Sequence, residues 1–455
     1  MAERKVFDCP ADGTLWLKLR FEPLPLRLRH VFGTSHSSSS TRTNALYTVE
    51  IGLRGTLDGR PLATGQGESG LPPKKPMCYH ADVTDCAVFF DSFCEALQAA
   101  GGVNAAGDPF AGLAGFFRTH QHVFGTHSIG SDAAKAASRL FHHLLITADG
   151  FTEKQFLAGR AGLESAIFAC WSAVWQLPVC VFAGIPAMPN PTRSFYTAAL
   201  NDSLAEMEAS TRFGLDYTPC IKIKLDGNVQ RSEQILSHFA GNGLGAVWSI
   251  DANAGWDAAT AMAHLPAIQQ AAASGCVYMV EQPFPIGYRP GLAAEEDHKW
   301  QAFRAALNAI PSPNGAGKVL LYADESIANE EDVRLFAPMV DGVNIKLEKA
   351  GGIRASIKAV LAARALGLKV WIGTMVSSCL GCAASAHVAC LADDSDVDGG
   401  LLVFPDVFDG GFRWRPDDGA ILIDGLEQLR AAGPYSLPPE VWGFGVTPVA
   451  PPGSA

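Results

Sequence analysis

Charged residues in this chain fall where short apolar segments end. Lys222 and Lys224, Asp251, Glu281, Asp324, Lys346, and the pair Asp396 and Asp398 each lie at or near the end of such a run. A charge in that place must be solvated, paired or metal-bound, because an isolated buried ion costs far too much. In Ile221-Lys222-Ile223-Lys224 the two-residue alternation puts both lysines on one face and both isoleucines on the other. Two ammonium groups held close disfavour each other's charged form, so one is expected to fall toward the range where a lysine acts as a base. Taken alone, the pair reads better as an ion-paired surface strand.

Asp251, Glu281 and Asp324 close three successive segments, Ser249-Ile250-Asp251, Val280-Glu281-Gln282-Pro283 and Ala323-Asp324-Glu325-Ser326. Three converging carboxylates repel one another. A hard divalent cation relieves that repulsion, and magnesium in particular uses a few carboxylates while keeping positions for water or a substrate oxygen. The plainer reading of each is a helix N-cap. Lys346 follows in Asn344-Ile345-Lys346-Leu347, and Asp396-Val397-Asp398 places two carboxylates on one face, suited to an ammonium group.

The elements that must position these groups follow from the surrounding pattern. After Thr192, short apolar strands alternate with alanine-rich amphipathic helices. Strands are expected at 195–200, 220–225, 246–253, 276–281, 319–324, 342–346, 369–374 and near 394–398. Eight such units predict a (β/α) barrel, whose active sites are built at the C-terminal strand ends. An open doubly wound sheet would carry a Gly-rich phosphate turn after an early strand, and none is convincing here. Before Thr192 the texture is α+β: strands over 16–29 and 44–54 around a Ser/Thr-rich loop (His36 to Thr43), then helices over 81–100, 133–146 and up to Gln176. The uncharged stretch from Ser165 to Thr192 is long enough to cross a bilayer, but Pro178, Pro186, Pro189 and Pro191 divide it, so a buried helix is expected.

The chain has 455 residues, 48% of them hydrophobic, enough for two domains. A formal charge of -11 with scattered Lys and Arg gives no basic stripe for nucleic acid. Eleven cysteines without framework spacing and an N-terminus lacking a signal-peptide core point to a cytoplasmic, reducing setting. Cys379 and Cys382 form one C-x-x-C, but a zinc site would want a second pair or nearby histidines. The expected partner is a small molecule, with no nucleic acid and no membrane, and self-association into a homo-oligomer is left open.

As an ordered set, K-I-K at 222–224, D-A-N-A-G-W at 251–256, V-E-Q-P at 280–283, A-D-E-S at 323–326, V-N-I-K-L-x-K-x-G-G-I at 343–353 and D-V-D-G at 396–399 resemble the enolase superfamily. Within it the likeness is to the muconate-lactonizing group, especially the dipeptide epimerases related to L-Ala-D/L-Glu epimerase. The resemblance implies an α/β fold with an N-terminal α+β capping domain (1–192), a modified TIM (β/α) barrel (193–423) and a C-terminal return to the cap (424–455). It implies one magnesium ion per subunit, held by Asp251, Glu281 and Asp324 and stabilising an enediolate. Lys224 and Lys346 would be the acid/base pair, Lys222 a substrate-binding group, and Asp396 and Asp398 the binders of the dipeptide's α-ammonium. Asn253 and Glu325 would support the metal carboxylates.

The sequence also departs from the relatives. They often carry an acidic residue near Ser377, and the segments 101–130 and 285–317 read as insertions in cap and barrel. His120, His122 and His127 in the first fit a polar loop better than a second metal site. Cycloisomerisation or dehydration on the same scaffold, as in muconate lactonisation or o-succinylbenzoate synthesis, is the alternative reaction. Those substrates carry no ammonium for Asp396 and Asp398. A non-catalytic binding module is disfavoured by retention of all three carboxylates and both lysines.

Overall fold

The computed structural model describes residues 3–9, 15–54, 60–73, 80–99, 131–185, 191–287, 290–291, 293–314, 317–426 and 437–449. Four antiparallel strands open the chain: β1 (Lys5–Cys9), β2 (Leu15–Gly33), β3 (Ser38–Leu53) and β4 (Ala63–Ser69), paired in that order. Leu15, Leu17, Leu19 and Phe21 alternate onto one face of β2 and are fully buried there, as a half-buried antiparallel strand requires. That face is covered by α1 (Val83–Ala99), α2 (Ser131–Asp149) and α3 (Leu157–Val174). Helix α3 presses closely on β4 because Gly65 and Gly67 have no side chain, and a Cβ on either would strike the α3 backbone.

The barrel strands are Arg193–Ser194 with Tyr196–Ala198, then Cys220–Lys224, Val247–Asp251, Val277–Glu281, Leu320–Ala323, Gly342–Lys346, Lys369–Gly373 and Asp394–Asp396. All pair in parallel with their neighbours. The first strand closes the ring: Ser194 pairs with Ser395 on one side, and Tyr196 pairs with Ile221 on the other. A short hairpin, Phe412–Arg415 and Ala420–Ile423, adds to the closing edge. Phe195, Tyr278, Met279, Tyr322 and Trp371 fill the interior below the C-terminal strand ends, so the barrel is a packed core. Residues 437–449 return to the first part of the chain, where Val179 N donates to Gly443 O at 2.7 Å and Gly443 N to Leu177 O at 3.0 Å.

One expectation is corrected. The Ser/Thr-rich run was expected to be a loop from His36 to Thr43, but only Thr34 to Ser37 turn, and Ser38 to Thr43 already belong to β3. Pairing with β2, through Pro25↔Thr43 and Arg27↔Thr41 and again at Phe32↔Ser39, holds these polar residues in the strand, with an irregularity between Arg27 and Phe32. Within 285–317 the chain forms a helix after the fourth barrel strand, Ala294–Asn308, anchored by Trp300, Phe303 and Leu307. The stretch after Ser165 lies in α3 and a short helix, Val179–Phe182, begun by Pro178. Among the described residues no helix is long and apolar enough to cross a membrane. Segment 101–130, with His120, His122 and His127, lies outside the described residues.

Candidate active site

Strand register brings the charged residues together at one barrel mouth. Lys224 sits beside Asp251, and Asp251 beside Glu281, as direct partners on adjacent strands. Lys346 is paired with Gly373, and Gly373 with Asp396. Gly373 makes that neighbourhood possible, since a Cβ there would stand 2.6 Å from Asn344 Oδ1 and from Lys346 Cε, and 2.9 Å from Asp396 Oδ1. Lys222 and Lys346 belong to the second and sixth strands, on opposite sides of the ring.

The lysines interleave with the carboxylates. Lys222 Nζ lies 2.9 Å from Asp396 Oδ2, 2.9 Å from Glu281 Oε2 and 3.2 Å from Asp251 Oδ2. Lys224 Nζ donates to Asp251 Oδ2 at 2.8 Å and to Asn253 Oδ1 at 3.0 Å. Lys346 Nζ donates to Asp324 Oδ2 at 2.7 Å, while Lys349 Nζ contacts Asp324 Oδ1 at 2.5 Å and Asn344 O at 3.2 Å. The expected depression of one lysine by the other does not hold for Lys222. Burial alone would lower it, but Asp396, Glu281 and Asp251 outweigh burial and raise it well above the ordinary lysine value. Alternation put the two ammonium groups on one face, as expected, but register sets Asp251 beside Lys224, and Asp251, Glu281 and Asp396 surround Lys222.

The carboxylates respond to burial in different ways. Burial raises Glu281 to about 8, against Lys222 and with the help of Asp251 and Asp324. Asp251 is held down to about 2, because Lys224 and Lys222 overcome its burial. Burial raises Glu325 to about 7, aided by Asp324 and Asp251. Asn253 Nδ2 links the last two regions, donating to Asp251 Oδ2 at 3.2 Å and Glu325 Oε1 at 3.1 Å. Asp396 also accepts from Trp371 Nε1 at 2.8 Å, and Asp398 Oδ2 accepts from Thr197 N at 2.6 Å. Burial and then Asp396 push Asp398 up to about 6.

These groups open on a cavity of about 390 Å³ whose lining includes Lys222, Lys224, Lys346, Asp396 and Asp398. The β2–β3 tip covers it. Ser35 Oγ donates to Ala252 O at 2.8 Å and Leu225 O at 3.0 Å, and His36 Nε2 lies 2.7 Å from Asn253 O. Sequence reading did not single out Lys349, Asn344 or the tip residues. Lys349 stands on the short helix Leu347–Ala350 that directly follows the strand ending at Lys346.

Lysines supply counter-charge to Asp251, Glu281 and Asp324. Among the described residues no three His, Cys, Asp or Glu side chains are gathered as a ready cation cage. The donor set nevertheless fits a hard divalent cation: oxygen ligands only, on three consecutive strands, with Glu281 Oε2 buried and making no hydrogen bond despite its nearness to Lys222.

Residues 205–447 match the family described as Enolase C-terminal domain-like, more than half of the chain. An enolase superfamily member from Dictyostelium discoideum is 31% identical over 406 residues, covering 85% of this chain and 89% of that protein. An L-Ala-D/L-Glu epimerase from Bacteroides thetaiotaomicron is 25% identical over 395 residues, covering 87% of this chain and 83% of that one. Among solved structures, a dipeptide epimerase from Enterococcus faecalis, complexed with Mg and the dipeptide L-Leu-L-Tyr, superposes with a TM-score of 0.64. It is 18% identical and covers 94% of this chain and 98% of its own. Eight parallel strands closed into a ring, an antiparallel sheet with helices above them, and these matches agree: the chain belongs to the enolase superfamily, with that family's modified barrel and α+β cap.

Proposed function

We propose that this protein is a magnesium-dependent isomerase that epimerises a dipeptide at the α-carbon next to its free carboxylate. The observation that carries this reading is the placement of Lys224 and Lys346 on the second and sixth of eight strands, lining one cavity. Asp251, Glu281 and Asp324 would hold the cation, which when bound supplies a Lewis acid for charge developing on the substrate carboxylate. Lys224 and Lys346 act from opposite sides of the α-carbon, one taking its proton and the other returning one to the far face. Asp251 and Asp324 orient the two ammonium groups through the contacts of 2.8 and 2.7 Å. Asn253 and Glu325 brace the Lys224 side, and Lys222 adds positive charge beside the substrate's carboxylate.

Asp396 and Asp398 recognise the dipeptide's α-ammonium, a charge-assisted contact that fixes which end of the substrate enters first. The cap closes the site from water, its tip held by Ser35 and His36. On this reading residues 1–192 are the capping domain, 193–423 the catalytic barrel and 424–455 the return that ties the two.

The test is a dipeptide library incubated with the protein and magnesium in heavy water, each member paired with its N-acetylated form. Free dipeptides should gain α-deuterium and their acetylated forms should not. Exchange that survives acetylation would remove the ammonium site, and no exchange in any free dipeptide would overturn the epimerase reading.

A further inference from the structure

The indole of Trp371 is used differently from other buried indoles of the chain. Trp171, Trp248 and Trp256 donate Nε1–H to the backbone carbonyls of Ala137, Leu244 and Asp226, each at 2.8 Å. Trp371 donates to a side-chain carboxylate, Asp396 Oδ1, also at 2.8 Å. It stands on the seventh barrel strand two residues before Gly373 and is fully buried. Its ring centre lies 4.6 Å from that of Phe195 and 5.8 Å from Lys222 Nζ. A buried indole needs an acceptor for its one donor, and this one finds it by reaching up from the barrel interior into the active site.

That contact makes the two aspartates of the eighth strand unequal. Asp396 has Trp371 on Oδ1 and Lys222 Nζ on Oδ2 at 2.9 Å, so both of its oxygens are engaged and its charge is met by an ammonium already in the protein. Asp398 accepts from the Thr197 amide at 2.6 Å, and among the described residues no cation pairs with it. Burial and the neighbouring Asp396 push it up to about 6, the direction of an anion that lacks a partner. Lys222 also has Glu281 and Asp251 beside it, but both belong to the set that would hold the cation. Asp396 is thus the one carboxylate on Lys222 without a second duty, and the indole keeps it turned that way.

We propose that Trp371 is a positioning residue that commits Asp396 to Lys222, so that the two aspartates divide their work: Asp396 steadies the lysine beside the substrate's carboxylate, and Asp398 supplies the unbalanced charge for the α-ammonium. The inference rests on the epimerase reading above and adds no covalent step. An indole suits the task because it donates without carrying charge, which leaves Asp396 an anion for Lys222. Its ring, packed on Phe195, fixes the direction of the N–H.

The experiment measures kcat and KM for α-proton exchange of alanyl-glutamate and alanyl-leucine, each with and without an N-acetyl group. The proteins are wild type, Trp371→Phe, Asp396→Asn and Asp398→Asn, with thermal melts as the control for folding. Trp371→Phe and Asp396→Asn should lower kcat by about tenfold or more, the effect of losing a hydrogen bond to a charged group, and keep the preference for the free ammonium. Asp398→Asn should instead raise KM and erase that preference. Wild-type kcat in Trp371→Phe, or equal loss of the preference in both aspartate variants, overturns the proposal, while exchange by wild type leaves the epimerase reading standing. If Trp371→Phe does not fold, nitrogen-15 NMR reads the indole in place: of the nine tryptophan side-chain N–H signals one should move strongly in Asp396→Asn, and none moving overturns the proposal. If no dipeptide exchanges in wild type, the epimerase reading fails, and calorimetry of alanyl-leucine against its acetylated form with magnesium decides the division separately. A preference lost in Asp398→Asn and kept in Asp396→Asn upholds it, and any other pattern overturns it.

Discussion

Lys224 and Lys346 can be removed one at a time without stranding a buried charge, which makes the two-base arrangement testable. Lys346→Ala deletes the ammonium 2.7 Å from Asp324 Oδ2, but Lys349 remains 2.5 Å from the other oxygen. Lys224→Ala leaves Asp251 with Lys222 at 3.2 Å. Breaking a buried pair costs about 3–5 kcal/mol when a charge is left uncompensated. A second lysine remains in each case, so the loss should fall below that range and both variants should stay folded. Catalysis has no such reserve. A positioned base contributes about 10²–10⁴-fold, equivalent to about 3–5 kcal/mol of barrier, and epimerisation in both directions should fall by that factor in either variant. Exchange with solvent should split instead. Lys224→Ala retains slow α-proton exchange for the diastereomer whose proton faces Lys346, and Lys346→Ala retains it for the other. Proton NMR of each diastereomer in heavy water reads this directly, with thermal melts as the control for folding. Unimpaired epimerisation in either variant would remove that lysine from the mechanism, and equal residual exchange of both diastereomers would replace two bases with one.

Chelation should abolish epimerisation and magnesium should restore it, with Glu281→Gln weakening magnesium binding by about tenfold or more in a calorimetric titration; full turnover by metal-free protein would refute the ligand set. A second effect concerns stability. His387, whose Nδ1 accepts from Cys180 N at 3.0 Å, is held by burial down to about 4 from an ordinary 6.5. The unfolded chain then binds the extra proton first, so the stability due to neutral His387 is complete above 6.5 and is lost as pH falls toward 4. Between pH 7.5 and pH 5 the loss is about 2 kcal/mol. Denaturant unfolding of wild type against His387→Asn, which keeps an acceptor for Cys180, should show that difference, and parallel pH profiles would contradict it.

Much of the barrel was legible because its strands are buried on both faces and end in charges, a pattern that survives without knowledge of neighbours. The Lys222 and Lys224 alternation likewise fixed a shared face. What alternation could not supply was register, and register decides that Lys224 meets Asp251 instead of facing Lys222 alone. The β3 start was misread because Ser38 to Thr43 look like loop residues, and only the complementary length of β2 makes them strand. Ala294–Asn308 was hidden by the Pro and Gly residues on either side of it.

Asn253 holds two attachments at once. Its backbone, turned into the left-handed region at φ 45, offers a carbonyl to His36 of the cap, while its side-chain oxygen receives Lys224. Whatever displaces the hairpin tip thus tugs on the residue that steadies the Lys224 ammonium, and by reciprocity a ligand that fixes Lys224 would tighten the tip. On the proposed two-lysine reading, admission and chemistry are coupled at this asparagine: loosening the His36 contact loosens one of the two holds on Lys224, the other being Asp251.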